Sequence, residues 1–287
     1  MDTQAKAVTI GVFDSGVGGL SVLRAIRALL PQHPVIYLAD QAHVPYGPRA
    51  LEEVRGFAEA ITRFLLGQGA RVIVVACNTA SAAALYHLRA TFPEVPFVGM
   101  EPAVKPAAEQ TQTGRVGVLA TPATFQGALY ASVVERFASH VRLYQDTCPG
   151  LVEAIEAGDL DGETPRRILE RALQPMLAGG IDTVVLGCTH YPFVIPLIQS
   201  IAGPGVRVID PAPAVARQTQ RVLEQRGWLA PSGQTNTLRF FTSGEAERFK
   251  AQVQRLLGEH EAAVEKVVWS GGEVKPASST IVLTSRT

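Results

Sequence analysis

Short apolar, β-branched runs alternate along most of this chain with segments whose apolar residues recur every three or four positions, the pattern of strands alternating with amphipathic helices. Residues 8–13 read as a strand. The turn Asp14-Ser15-Gly16-Val17-Gly18-Gly19 then leads into a helix carrying Leu20, Leu23, Ile26 and Leu30 on one face. Residues 34–40 predict a second strand and 44–48 a loop. Leu51, Val54, Phe57, Ala58, Ile61, Phe64 and Leu65 mark a helix that stops at Gly67 and Gly69. A third strand, from Arg71, ends abruptly in Cys77-Asn78-Thr79. Asn78 or Thr79 is placed to cap a helix over 80–89, and a strand follows around 96–100.

The pattern restarts after Glu101-Pro102-Ala103-Val104-Lys105-Pro106, a proline-bearing crossing between domains. Residues 115–120 form a new first strand, followed by the polar turn Thr121-Pro122-Ala123-Thr124, a helix over about 125–137 and a strand around 141–144. The segment 151–157, a helix over 165–177 and a strand ending in Cys188-Thr189-His190 complete the second series. Both halves thus run from a polar turn to a cysteine strand over similar distances, 14 to 77 and 121 to 188. We expect two related Rossmann-like α/β domains with mostly parallel sheets and an active site in the cleft between them. The first comprises residues 1–101 plus about 212–269, regained through a helix after Pro211-Ala212-Pro213, a strand at 237–242 and a helix at 245–257. The second comprises 102–211, and the tail 270–287 is either an edge strand or disordered.

A chain of 287 residues with 47% hydrophobic and 18% charged residues has ample core, which excludes disorder as its main state. Its 26 basic and 26 acidic residues balance, and none of its segments concentrates Lys and Arg. Nucleic acid is therefore a poor partner, and a small molecule a better one. Three widely spaced cysteines suit free thiols in a reducing cytosol rather than a disulfide scaffold. Without an apolar run long enough for a signal peptide or a membrane span, the protein is expected to be cytoplasmic and to have no membrane partner.

Ligands of doubly wound sheets gather beyond the carboxyl ends of the strands, where the following helix offers free N–H groups. Cys77 and Cys188 both fall at such points. A thiol there is expected to have its pKa lowered from about 8.5 toward neutrality, making it a usable base. A single such cysteine is more often a small buried hydrophobe. Two, at matching points of a duplicated unit, are another matter. One thiolate and one thiol facing each other could remove a proton from one face of a carbon acid and return one to the other, which is racemisation. Cys148, outside a strand context, is assigned to structure.

DSGVGG at residues 14–19, VPYG at 44–47, ACNTAS at 76–81 and GCTHYP at 187–192, in this order, resemble the glutamate racemase family, cofactor-independent enzymes that make D-glutamate for bacterial peptidoglycan. The resemblance covers residues 10–258. It implies that Cys77 is the base for D-glutamate and Cys188 the base for L-glutamate, that Asp14 assists Cys77 and that His190 assists Cys188. It also implies that Ser15, Tyr46, Gly47, Asn78, Thr79 and Thr189 hold the ammonium and carboxylates, together with Asp14 and His190. Glu156 is the best match to a further family carboxylate, with Glu153 its rival. The resemblance implies no cofactor and no metal, and it implies a homodimer.

Each residue also has a plainer role. Asp14 and Ser15 could form the turn and cap the first helix, His190 could be a capping or surface residue, and Tyr46 a turn residue. Glu153 and Glu156 could be solvated helix positions. Alternatives for the whole chain are a two-cysteine racemase or decarboxylase acting on aspartate, hydantoins or malonates, or a non-enzymatic binder on the same fold. A nucleotide site is disfavoured because Ser21 stands where G-x-G-x-x-G needs glycine, and zinc would need ligands beyond Cys188 and His190.

Overall fold

The computed structural model describes residues 7–231 and 237–277. It opens with β1 (Thr9–Asp14), α1 (Leu20–Leu29), β2 (Val35–Ala39), α2 (Leu51–Gly67), β3 (Ala70–Val75), α3 (Asn78–Thr91) and β4 (Phe97–Val98). A second series follows: α4 (Val104–Gln110), β5 (Arg115–Ala120), α5 (Pro122–Gln126), α6 (Ala128–Phe137), β6 (Arg142–Asp146), α7 (Leu151–Glu156), α8 (Glu163–Ala178), β7 (Thr183–Gly187), α9 (Ile195–Ala202) and β8 (Arg207–Ile209). The chain then returns. The helix α10 (Ala212–Gln225) packs on α1; β9 (Leu238–Thr242), β10 (Val264–Ser270) and β11 (Glu273–Pro276) extend the first sheet, and α11 (Ala246–Leu257) packs against β9 and β10.

The first sheet has the order β11-β10-β9-β2-β1-β3-β4 and the second β6-β5-β7-β8. Strands β2-β1-β3-β4 and β6-β5-β7-β8 therefore repeat one topology, with β1 matching β5 and β3 matching β7. Every pairing is parallel except that of β10 with β11. Central strands buried on both faces need continuous apolar runs, as VIYLA and TVVLG supply in β2 and β7. The edge strand β6, RLYQD, is half exposed and polar by contrast. In this order the connections leave β1 and β3 in opposite directions, so a crevice opens at their carboxyl ends. The same holds for β5 and β7, and the ends of β1, β3 and β7 carry Asp14, Cys77 and Cys188.

Several elements differ from expectation. The helix α3 begins at Asn78 itself and is capped by Cys77, whose Sγ accepts the Ala80 N–H at 3.4 Å. Only Ala76 and Cys77 lie between β3 and α3, so the thiol takes the capping place. The helix expected over 125–137 is two helices, broken where Gly127 turns to extended backbone between α5 and α6. The crossing at 101–106 contains the start of α4, which Pro106 tolerates because it lies in the first turn. Of the tail, residues 273–276 form the edge strand β11, bearing Glu273, Lys275 and Pro276, residues that discourage further strand pairing. Residues 278–287 lie outside the described residues.

Candidate active site

The four central strand ends converge on one cavity of about 150 Å³, a size suited to a small metabolite rather than a dinucleotide. From the first unit come Ser15, Tyr46, Gly47, Cys77, Asn78 and Thr79; the second adds Thr121, Cys148, Glu153, Cys188, Thr189 and His190. The two thiols thus line a common space from equivalent places in the repeat. All three cysteines are free and buried. Asp14 and Glu156 stand behind this lining, not in it.

Asp14 ends β1 with its carboxylate folded back onto the glycine turn. Its Oδ2 accepts the N–H groups of Gly16 and Gly19 at 3.1 and 2.9 Å, and its Oδ1 accepts the Thr189 hydroxyl at 3.3 Å. Burial raises its pKa, against the opposing charge of His190 and the two N–H bonds. Cys77 is also pushed well up, first by burial and then by the Asp14 charge. This corrects the expectation of a thiol lowered toward neutrality by a helix N-terminus: loss of water outweighs the single N–H bond from Ala80. Cys77 is a neutral thiol at neutral pH.

The second thiol has different company. Its sulfur lies 3.8 Å from Nδ1 of His190, whose Nε2 is 2.8 Å from Oε1 of Glu156. His190 is buried, and burial alone would favour neutral imidazole. The contacts with Cys188 and Glu156 override that and raise its pKa well above the ordinary value, so it is an imidazolium. Glu156 is pushed up by burial but more strongly down by His190, the Val17 N–H and Gln41, and it stays ionised. The glycine turn makes this pairing possible. A Cβ at Gly16 would lie 1.8 Å from Glu156 Oε1, and one at Gly18 would lie 2.4 Å from His190 Nδ1. Those glycines admit a carboxylate and an imidazole, not a phosphate.

Asn78 is buried at the cavity wall with neither its amide nitrogen nor its amide oxygen hydrogen-bonded among the described residues. Such a group costs about 1–3 kcal/mol unless a ligand satisfies it. Next to it, Thr79 Oγ1 lies 2.8 Å from Thr121 Oγ1, which is 2.9 Å from Thr124 Oγ1, a chain of hydroxyls linking the two units. Tyr46 lines the cavity and gives its hydroxyl proton to Asp40 Oδ2 at 2.6 Å, which ties that hydroxyl to a buried carboxylate. His43, Ser243 and Trp269 converge on the same buried Asp40 carboxylate.

Every residue proposed as ligand-binding or catalytic from the sequence is therefore in the wall or directly behind it. Sequence reasoning missed Thr121 as a site residue, although it directly follows β5 as Ser15 directly follows β1. It also placed Cys148 in a structural role; that residue lines the cavity in a left-handed conformation, φ +44°, with its N–H on Asp146 Oδ1 at 2.7 Å. Of the rival carboxylates, Glu153 lines the cavity and Glu156 contacts His190. The described residues contain no cluster of three His, Cys, Asp or Glu placed to hold a metal.

Comparison with known proteins adds the following. The family model described as Asp/Glu/hydantoin racemase matches residues 19–219. A glutamate racemase of Pseudomonas aeruginosa is 54% identical over 263 residues, covering 92% of this chain and 99% of the relative. Escherichia coli glutamate racemase, solved with L-glutamate and the activator UDP-MurNAc-ala, superposes with a TM-score of 0.81 at 35% identity, covering 92% and 100%. The Francisella tularensis glutamate racemase complex with D-glutamate gives 0.79 at 28%, covering 92% and 98%.

Proposed function

The chain belongs to the Asp/Glu/hydantoin racemase family and is an isomerase of the glutamate racemase type, and we propose that it interconverts L- and D-glutamate by cofactor-independent proton transfer between two thiols. The observation that carries this is the placement of Cys77 and Cys188 at equivalent strand ends on one cavity, in two different electrostatic settings. An acid and a base of the same chemical type must differ in charge at the moment of reaction, and their surroundings differ accordingly.

Substrate binding follows from the unpaired groups. The Asn78 amide offers a donor and an acceptor, the first turn of α3 offers N–H groups to a carboxylate, and Ser15, Thr79, Thr121 and Thr189 supply hydroxyls. For L-glutamate, the Cys188 thiolate, paired with cationic His190, removes the α-proton. The Cys77 thiol then protonates the opposite face, giving D-glutamate. Cys77 is left as a thiolate and Cys188 as a thiol, the state that accepts D-glutamate and runs the reaction back. Asp14, raised by burial, is the group beside Cys77 able to carry a proton when the sulfur does not. Glu156 acts through His190 by keeping the imidazole charged and aimed at the sulfur.

We assign the product to peptidoglycan synthesis and the working unit to a cytoplasmic homodimer. Among the described residues no helix is long and apolar enough to cross a membrane. Circular dichroism of glutamate, aspartate and a hydantoin incubated with the protein tests the substrate assignment. Glutamate should racemise far faster than the other two; faster turnover of aspartate or the hydantoin would refute it. Growth of a D-glutamate auxotroph tests the cell-wall role, and sedimentation tests the dimer.

A further inference from the structure

Three donors hold the carboxylate of Glu156, and two come from the other half of the molecule. Oε1 receives His190 and the Val17 N–H, the latter at 2.7 Å, while Oε2 receives Nε2 of Gln41 at 3.1 Å. Gln41 lies just beyond β2 and is outside the cavity wall. Its orientation is fixed from behind. The Thr242 hydroxyl oxygen accepts the Gly244 N–H at 3.0 Å and gives its own proton to Gln41 Oε1 at 3.0 Å, so the amide nitrogen must face Glu156. The other hydrogen of that nitrogen goes to Gln252 Oε1 at 2.9 Å, and Gln252 Nε2 in turn holds the Glu156 carbonyl at 2.6 Å.

We propose that Gln41 is a positioning residue that acts through Glu156 and His190 on Cys188 alone, and so on one of the two faces of the substrate carbon. This rests on the racemase reading above. Among the described residues nothing comparable connects Gln41 to Cys77: its side-chain hydrogen bonds run to Glu156, Gln252 and Thr242. Gln41→Met keeps the length of the side chain and removes the amide. The expected result is a kcat/KM lower by about tenfold, as for loss of one hydrogen bond to a charged group.

That loss alone does not locate the effect. The two enantiomers have equal free energies in water, so kcat/KM must fall by the same factor in both directions. Isotope effects with α-deuterated substrates do locate it. Slower transfer at Cys188 makes that step more rate-limiting, so the isotope effect on L-glutamate rises. The effect on D-glutamate falls, because the carbanion formed at Cys77 returns more often before Cys188 delivers its proton.

The experiment measures both isotope effects for wild type, Gln41→Met and Gln41→Glu, with thermal unfolding to verify that each variant is folded. Gln41→Glu, of the same shape but with an acceptor facing Glu156, should enlarge the same split. Opposite movement of the two isotope effects supports the assignment. Parallel movement, or wild-type values in a folded variant, overturns it. Wild-type protein that leaves the α-hydrogen of glutamate unexchanged would remove the racemase reading itself, a failure distinct from that of Gln41.

Discussion

Gly16→Ala isolates the contact on which the His190–Glu156 pairing depends. The backbone at Gly16 is outside the left-handed region, so alanine is admitted there. By restricting the unfolded chain, it would on its own stabilise the protein by about 0.4–1 kcal/mol. The Glu156 carboxylate reverses that sign. A Cβ would lie 1.8 Å from Oε1 and 2.7 Å from Cδ, against a normal carbon contact of about 3.5 Å. Glu156 cannot yield without parting from donors at 2.7, 2.8 and 3.1 Å.

Overpacking costs about 1–3 kcal/mol, and a weakened hydrogen bond to a buried charge about 1.5–3 kcal/mol more. Net of the backbone gain, we expect a loss of about 1.5–5.5 kcal/mol in urea unfolding and at least tenfold in kcat/KM by circular dichroism. In a Glu156→Ala background the obstacle is gone. There Gly16→Ala should cost less than about 0.5 kcal/mol, a non-additivity expected only of residues in contact. Wild-type stability and rate in Gly16→Ala, or an equal cost in both backgrounds, would refute the reasoning.

Asn78→Ala removes an unpaired buried amide, so the ligand-free protein should be unchanged or more stable by up to about 1–3 kcal/mol in thermal unfolding, while KM for glutamate rises. Trp269→Phe removes the 2.7 Å bond to Asp40 Oδ1 and leaves a smaller aromatic ring; stability should fall by about 1–3 kcal/mol and KM should rise, because Asp40 also holds Tyr46. His190 has a raised pKa in the folded state, so its contribution to stability is complete below its unfolded value of 6.5 and is lost as pH rises through the folded one. Thermal unfolding should therefore show this contribution declining above about pH 6.5, by at most about 1.4 kcal/mol per pH unit, and Glu156→Gln should flatten the decline.

The strands and both thiols were legible because each lies on a local pattern: an apolar run, then a cysteine, then small polar residues. The strand order repeats what that pattern suggested. What stayed hidden depends on distant contacts. Val17 meets Glu156 across 139 positions and Gln41 meets it across 115, and nothing near Glu156 in sequence marks it out from Glu153. The glycine turn was visible as a turn, but its reason, room for Glu156 and His190, lies in the other half of the chain. The direction of the Cys77 shift was misjudged because a helix N-terminus is readable from sequence and burial is not. Strand β10 escaped because its exposed polar positions and the glycines after Ser270 blur its period.

The most direct test of the two-thiol mechanism is the fate of the α-hydrogen. Purified protein without added cofactor is incubated in D2O with L-glutamate and, separately, with D-glutamate, and both enantiomers are recovered early in the reaction and weighed by mass spectrometry. Two thiols on opposite faces should place one solvent deuteron in the product enantiomer in each direction, with Cys77→Ser and Cys188→Ser each abolishing interconversion. A product that keeps the substrate's own α-hydrogen, or normal racemisation by either serine variant, would contradict it.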